Sequence, residues 1–172
     1  MIDPFSEILS DSATPVILCI GSDRVLGDAL GPVTGELLKR KFDVPAFVYG
    51  SLDCPVTALN LRSATAFIKA RHRDSKIIAI DGAVGSEVGK ISVCGSSLRP
   101  GLASGKVLPN VGDVSVIVTV ATDAKLLPSV RLKTVYDLAL RTAELVASAV
   151  GTHFRACEKH FPTVLKHNTR TD

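Results

Sequence analysis

The sequence predicts a single α/β domain, built as a three-layer α/β/α sandwich around a mostly parallel mixed sheet. Short apolar runs that end at a glycine or an acid alternate with amphipathic helical patterns over the first half of the chain, as is typical of parallel sheets covered by helices. The 172 residues suffice for one domain with a sizeable core. A hydrophobic fraction of 46% and a charged fraction of 22% are those of a globular protein.

The first half of the chain predicts three strands and two helices. Val16–Ile20 is a continuous apolar run of the kind found in a central strand. A helix over Pro32–Lys41 follows, with proline in its first turn and basic residues at its end. Ala46–Tyr49 predicts the second strand, and a helical pattern runs from Val56 to about residue 70. Ile77–Ile80 repeats the buried-strand signature.

The second half changes character. Lys90–Cys94 follows too closely for a helical crossover, so we expect it to run antiparallel or to lie at a sheet edge. The loop Ser96–Asp113 is long for a compact domain, and we expect it to border the functional site. Val114–Val120 predicts a further strand, and a helix is expected over Val130–Val150, ending at Gly151.

The ends of the chain are expected to be peripheral. Residues 1–14 predict a helical turn packed on the body of a domain that spans residues 1–151. Residues 152–172 are polar and are expected to form a short helix followed by a loose tail.

Composition argues against several classes of partner. A net charge of +3 with 5% aromatic residues does not favour nucleic-acid binding. No apolar run reaches the roughly 20 residues of a membrane helix, and the N-terminus does not resemble a signal peptide. The four cysteines contain no Cys-x-x-Cys pair, so we expect a reduced, cytoplasmic protein. The oligomeric state stays open, and a homo-oligomer is compatible with the sequence.

Four acids follow predicted strands: Asp28, Asp53, Asp81 and Asp123. Ligands of open α/β sheets bind beyond the carboxyl ends of the strands, where the strand order reverses. If the first and third strands are neighbours there, Asp28 and Asp81 face each other. Two close carboxylates hold one proton between them. One can then activate a water while the other polarises a scissile carbonyl, which favours peptide hydrolysis.

Acids after strands also have structural roles. Asp53 is well placed to cap the helix that follows it, and Asp23 is most simply a turn residue. Asp113 and Asp123 fit either role. Asp81 is harder to explain structurally, because no helix is predicted directly behind it.

Other chemistries have weaker signals. The spacing of Gly21 and Gly27 does not match a phosphate-binding loop, and Asp28 stands where such a loop carries lysine. No Gly-x-Ser-x-Gly elbow occurs, and His72 is interpreted as a solvated residue at a helix end. The spacing of the histidines and cysteine near the C-terminus fits no standard zinc pattern. We therefore predict neither a metal nor a cofactor.

Four ordered motifs resemble the spore germination protease family, and most closely its shorter YyaC-like relatives. They are Gly27–Pro32, Tyr49–Val56, Ile80–Gly85 and Pro100–Pro109, the last extended by Val111–Asp113. The resemblance covers roughly residues 16–150 and implies a fold shared with hydrogenase maturation proteases, of a phosphorylase/hydrolase-like type.

The resemblance also implies an activity. The germination protease is an aspartic-type endopeptidase that degrades small acid-soluble spore proteins, and its two proposed catalytic aspartates match Asp28 and Asp81. Gly82 stands where that family has alanine. Substrate contacts are expected from seven residues of the matching segments: Asp23, Gly27, Asp53, Gly82, Gly101, Gly105 and Asp113. The alternatives are a non-catalytic sporulation protein that binds a peptide or partner in the same crevice, and a metal-dependent maturation endopeptidase.

Overall fold

The computed structural model describes residues 5, 9, 13–100 and 108–160, with side chains as far as residue 152. These residues form five strands: β1 (Val16–Cys19), β2 (Phe47–Tyr49), β3 (Ile77–Val84), β4 (Ile91–Cys94) and β5 (Val114–Ala121). They also form three α-helices: α1 (Leu30–Arg40), α2 (Leu61–Arg71) and α3 (Leu132–His160). Short 3-10 helices cover Leu26–Ala29 and Ala124–Ser129.

The strands form one sheet in the order β2-β1-β3-β5-β4. β1 runs parallel to both β2 and β3, and β3 runs parallel to β5. β4 pairs antiparallel with β5 at the edge of the sheet, which confirms the prediction for this strand. Its connection from β3 is too short to hold a crossover helix, so β4 runs in the opposite direction to β3, on the far side of β5.

Helices cover both faces of the sheet. Alternate residues of β1 and β3, such as Ile17 and Ile78, pack in one core with α1 and α3. The intervening residues, such as Leu18 and Ala79, pack in a second core with α2. This alternation follows from the period of a strand, and burial on both faces explains the continuous apolar runs. The predicted three-layer α/β/α fold is confirmed.

Two helix boundaries differ from prediction. α2 begins at Leu61, five residues after Val56, because Val56 instead makes a parallel bridge to Ile20 at the end of β1. α3 continues past Gly151 to His160, so the predicted end at Gly151 is wrong. One glycine costs a helix only about 1 kcal/mol, and the burial of Val146 and Val150 just before it favours the uninterrupted helix.

The N-terminal segment contributes to the core. Phe5 and Leu9 have helical backbone, and their side chains are buried in the core shared by α1 and α3. The spacing of four residues places both on one helical face, as expected of a turn packed on the body. Residues 161–172, the greater part of the predicted tail, lie outside the described residues.

Candidate active site at the carboxyl end of the sheet

The strand order reverses between β1 and β3. From β1 the chain moves outward to β2, then crosses back to add β3 on the other side of β1. β1 and β3 are neighbours, as predicted, with Cys19 in register with Ile80. Their carboxyl ends therefore flank the point at which open α/β sheets bind ligands.

Asp28 lies in the 3-10 helix that leads from β1 into α1, and its main chain is held on both sides. Its N–H donates to the carbonyl oxygen of Val25 at 2.9 Å, and its own carbonyl accepts from the N–H of Ser22 at 3.0 Å. Gly21 has a φ of +148°, and a side chain there would overlap the carbonyl of Asp28. The glycine thus permits the turn that positions the acid.

Helix α1 begins close against the end of β1 because glycines recur at every fourth residue. A side chain on Gly31 would overlap the carbonyl oxygen of Ile20, and one on Gly35 would overlap that of Gly50. Gly27, one turn earlier, lies against Leu127 of the second 3-10 helix. Residues four apart share a helix face, so this spacing brings helix and strand backbones into contact.

Asp81 lies inside β3 rather than after its end. β3 continues to Val84, and Asp81 is in register with Ile117 of β5. The predicted strand ended at Ile80 because only the first four residues of β3 are fully buried. The last four extend beyond the end of β1 and are half-buried. By strand alternation, Asp81 shares a face with Ala79 on the α2 side, whereas Gly82 faces the α1 side.

The segments that carry the two acids touch through their neighbouring glycines. A Cβ atom on Gly82 would lie 3.4 Å from the carbonyl oxygen of Gly27. Gly27 precedes Asp28 and Gly82 follows Asp81. Both acids are half-buried, and the chain segments that carry them meet at the reversal.

Asp53 does not cap a helix, contrary to prediction. The residue before α2 is Asn60, whose side chain instead accepts from Thr57 N–H at 2.7 Å and donates to the Pro55 carbonyl at 3.1 Å. Asp53 pairs with Arg40 at the end of α1 at 3.0 Å, and its side chain is 76% exposed. Its loop therefore folds back along α1, which does not support a place for Asp53 beside Asp28.

Asp113 lies at the opposite end of the strands, beside the first residue of β3. Its Oδ2 accepts from the N–H of Ile77 at 2.8 Å, and its own N–H donates to the Ile77 carbonyl at 2.7 Å. Ile77 is the first residue of β3, about 13 Å along the strand from Asp81. Asp113, the residue before β5, thus fastens the start of β3 to this segment, and its predicted substrate contact stays a prediction.

The other predicted site residues divide by position. Asp23 is exposed in the loop after β1, near Asp28 in sequence. Asp123 caps the 3-10 helix after β5, accepting from the N–H of Lys125 at 2.8 Å. Gly101 and Gly105 lie outside the described residues, so their contribution stays a prediction. The two ends of their loop are joined by a bridge between Leu98 and Val111.

Sequence reasoning missed two contacts. His72 was expected to be solvated, but its Nε2 lies 2.7 Å from the hydroxyl of Tyr49 and its ring packs on Phe47, with centroids 4.2 Å apart. Leu127, which packs against Gly27, also escaped notice. Its only signal was a pair of adjacent leucines in the segment after β5.

The described residues contain no metal-binding cluster, and the thiol of β1 is buried. Within them, no group of three histidine, cysteine or acidic side chains could together hold a metal ion. Burial raises the pKa of Cys19, in β1, to about 12, with Lys39 acting weakly in the opposite direction. The thiol is thus protonated at neutral pH and serves as a small core residue. Among the same residues, no helix combines the length and apolar character that a membrane crossing demands.

Fold and site together define an α/β/α protein with two acids at the topological switch point of its sheet. Residues 2–145 match the family described as "Protein of unknown function (DUF1256)", and the chain belongs to that family. It is 35% identical over 146 residues to "Uncharacterized protein YyaC" of Bacillus subtilis (strain 168), covering 81% of this chain and 71% of that protein. The predicted YyaC-like resemblance is confirmed.

Two solved structures resemble this one to different degrees. The [NiFe] hydrogenase maturation protease HycI from Thermococcus kodakarensis KOD1 superposes with a TM-score of 0.51 at 18% identity, over 87% of this chain and 99% of its own. Hydrogenase 2 maturation peptidase from Thaumarchaeota archaeon SCGC_AB-539-E09 has a TM-score of 0.48 at 17% identity, over 81% of this chain and 99% of its own. At such identities only the fold of the first carries over.

Proposed function

We propose that this protein is an aspartic-type endopeptidase of the germination-protease type, with Asp28 and Asp81 as its acid pair. The observation that carries the proposal is the approach of Gly27 to Gly82, which puts the segments bearing both acids in contact at the strand reversal. The fold, which occurs among maturation proteases, is compatible with this role.

The chemistry requires one proton shared between the two carboxyl groups. The ionised carboxylate removes a proton from a water molecule, whose oxygen attacks the scissile carbonyl. The protonated carboxyl group donates a hydrogen bond, then its proton, to the carbonyl oxygen as the tetrahedral intermediate forms. The first carboxyl group then gives the proton it took from water to the amine. The second carboxylate recovers a proton from the hydroxyl of the intermediate as the C–N bond breaks and the two peptide products leave. The held main chain of Asp28 and the paired strand around Asp81 limit the movement of both groups.

The proposed setting is the cytoplasm of a sporulating cell or the spore, and the proposed substrates are small acid-soluble spore proteins. Such proteins, and a peptide library, are incubated with the purified full chain. The proposal predicts new termini and many cleavages per protein molecule. A protein that only binds its partner gives a stable complex without product.

The assay also separates the two chemistries that could cut a peptide here. It is run with and without EDTA and with added divalent cations. An acid pair predicts equal rates in all arms, whereas abolition by the chelator and recovery with one cation would assign the site to metal-dependent hydrolysis.

A further inference from the structure

β3 extends beyond its neighbour β1. The last hydrogen bond between them in this direction joins the N–H of Ile20 to the carbonyl of Ile80 at 2.8 Å. Gly21 then turns the chain away with a φ of +148°, while β3 continues to Val84. β5 remains paired with this extension on one side. On the other side, no described strand pairs with it.

The hydrogen bonds of β3 show which of its backbone N–H and C=O groups point towards β1 and which point towards β5. The carbonyls of Lys76 and Ile80 accept from the β1 segment, whereas Gly85 donates its N–H to Ala121 at the end of β5. Even-numbered residues therefore present their N–H and C=O to the β1 side. Gly82 presents both groups to the edge that β1 has left, and no described residue forms a hydrogen bond with either.

We propose that this edge at Gly82 is a peptide-binding subsite, at which an extended segment of a protein substrate pairs with the N–H and C=O of Gly82 as an added strand. An extended peptide can accept a hydrogen bond from the N–H of Gly82 and donate one to its C=O, as a neighbouring strand would. The subsite rests on the proposed function, since it lays the chain to be cut next to Asp81.

The surroundings of Gly82 favour a main-chain ligand. The Gly27 carbonyl oxygen and the Cβ of Leu30 lie 3.4 and 3.6 Å from the position of a Gly82 Cβ, so the 3-10 helix covers one face. The vacated edge lies between this helix, which carries Asp28, and the strand that carries Asp81. Recognition through main-chain groups tolerates many sequences but requires the segment to be unfolded. The substrate class is thus an unstructured protein segment.

Two substitutions at one position test the subsite. Gly82→Pro removes the N–H, and the β5 ladder is kept because that N–H does not point to β5. Gly82→Ala keeps the N–H and adds a methyl group that the neighbouring atoms tolerate. Both are placed in the Asp28→Asn/Asp81→Asn background, which prevents turnover. Binding to an unfolded small acid-soluble spore protein and to unfolded casein is measured by fluorescence anisotropy.

The subsite predicts binding by the Gly82→Ala form and roughly tenfold weaker binding by the Gly82→Pro form. In the same full chain with native Gly82, amide exchange at Gly82 is fast without ligand and slow with it. Equal affinity of the two variants, no binding to either unfolded probe, or a protected Gly82 amide in the free protein would each overturn the proposal. Cleavage by the unsubstituted protein is scored separately, so loss of the proposed chemistry would not be mistaken for loss of the subsite.

Discussion

The carbonyl oxygen of Gly27 lies 3.4 Å from the point at which a side chain on Gly82 would begin. Through this contact the 3-10 helix that contains Asp28 rests on the strand that contains Asp81. Gly27 and Gly82 are 55 positions apart in the sequence, and the parallel pairing of β1 with β3 brings them together.

Gly21→Ala should destabilise the protein by about 2 kcal/mol or more, because the new methyl group meets the Asp28 carbonyl in a backbone conformation that alanine avoids. Chemical denaturation measures the loss. Gly89→Ala is the matched control, since its φ is +92° but the nearest atom to its Cβ is 3.8 Å away. It should lose about 1 kcal/mol from backbone strain alone. Equal losses would show that the Asp28 turn is not tightly packed.

Asp53→Ala should leave stability within about 0.5 kcal/mol of the unsubstituted protein, because an exposed ion pair contributes little. Asn60→Ala should cost about 1 kcal/mol, since it removes two hydrogen bonds that fix the segment before α2. Thermal unfolding with matched buffers compares the two. A larger loss at Asp53 than at Asn60 would contradict this ranking of the two side chains.

Asp113→Ala should lower stability by about 1–2 kcal/mol by leaving the N–H of Ile77 without its acceptor. Asp113→Asn keeps an acceptor oxygen and should lose less. Peptide cleavage per folded molecule should be unchanged in both variants, because Asp113 lies at the amino end of β3, away from Asp81. Loss of turnover with full stability would place Asp113 in the site after all.

Cys19 should make stability fall as the pH rises from 9 to 12. The pKa of its thiol rises from 9.0 to about 12 on burial, so in this window the unfolded chain releases a proton that the folded chain keeps. The unfolded state then binds fewer protons, and the free energy of unfolding decreases with pH. Cys19→Ala should flatten this part of the profile, whereas Cys54→Ala, at an exposed position, should not. Parallel profiles for Cys19→Ala and the unsubstituted protein would contradict the assignment.

The sequence was informative where local pattern and tertiary contact agree. The apolar run before Gly21 predicts a strand buried on both faces, and both cores confirm it. The short link after Asp81 predicted the antiparallel β4. The first feature depends on the pattern of apolar residues, and the second on the number of residues available to connect two strands. Both can be determined from one sequence.

The errors fall where distant residues decide the outcome. Asp53 has the residue type and position of a helix cap, but Val56 pairs with Ile20, so α2 starts only at Leu61. Asp113 is in a motif segment that suggests the site, and the pairing of β3 with β5 sets it at the amino end of these strands. Both outcomes depend on contacts between residues far apart in the sequence, which leave no signal within a short window of it.

The most direct test of the acid pair is a comparison of initial peptide-cleavage rates for Asp28→Asn, Asp81→Asn and the double variant. Asp74→Asn is the control, at an exposed acid that precedes the start of β3, the end of that strand away from Asp81. If the two carboxyl groups act as one unit, each single variant should lose about 100-fold or more and the double variant little further. Asp74→Asn should cleave at the unsubstituted rate. Cleavage that survives in either single variant at the unsubstituted rate would contradict the acid-pair mechanism.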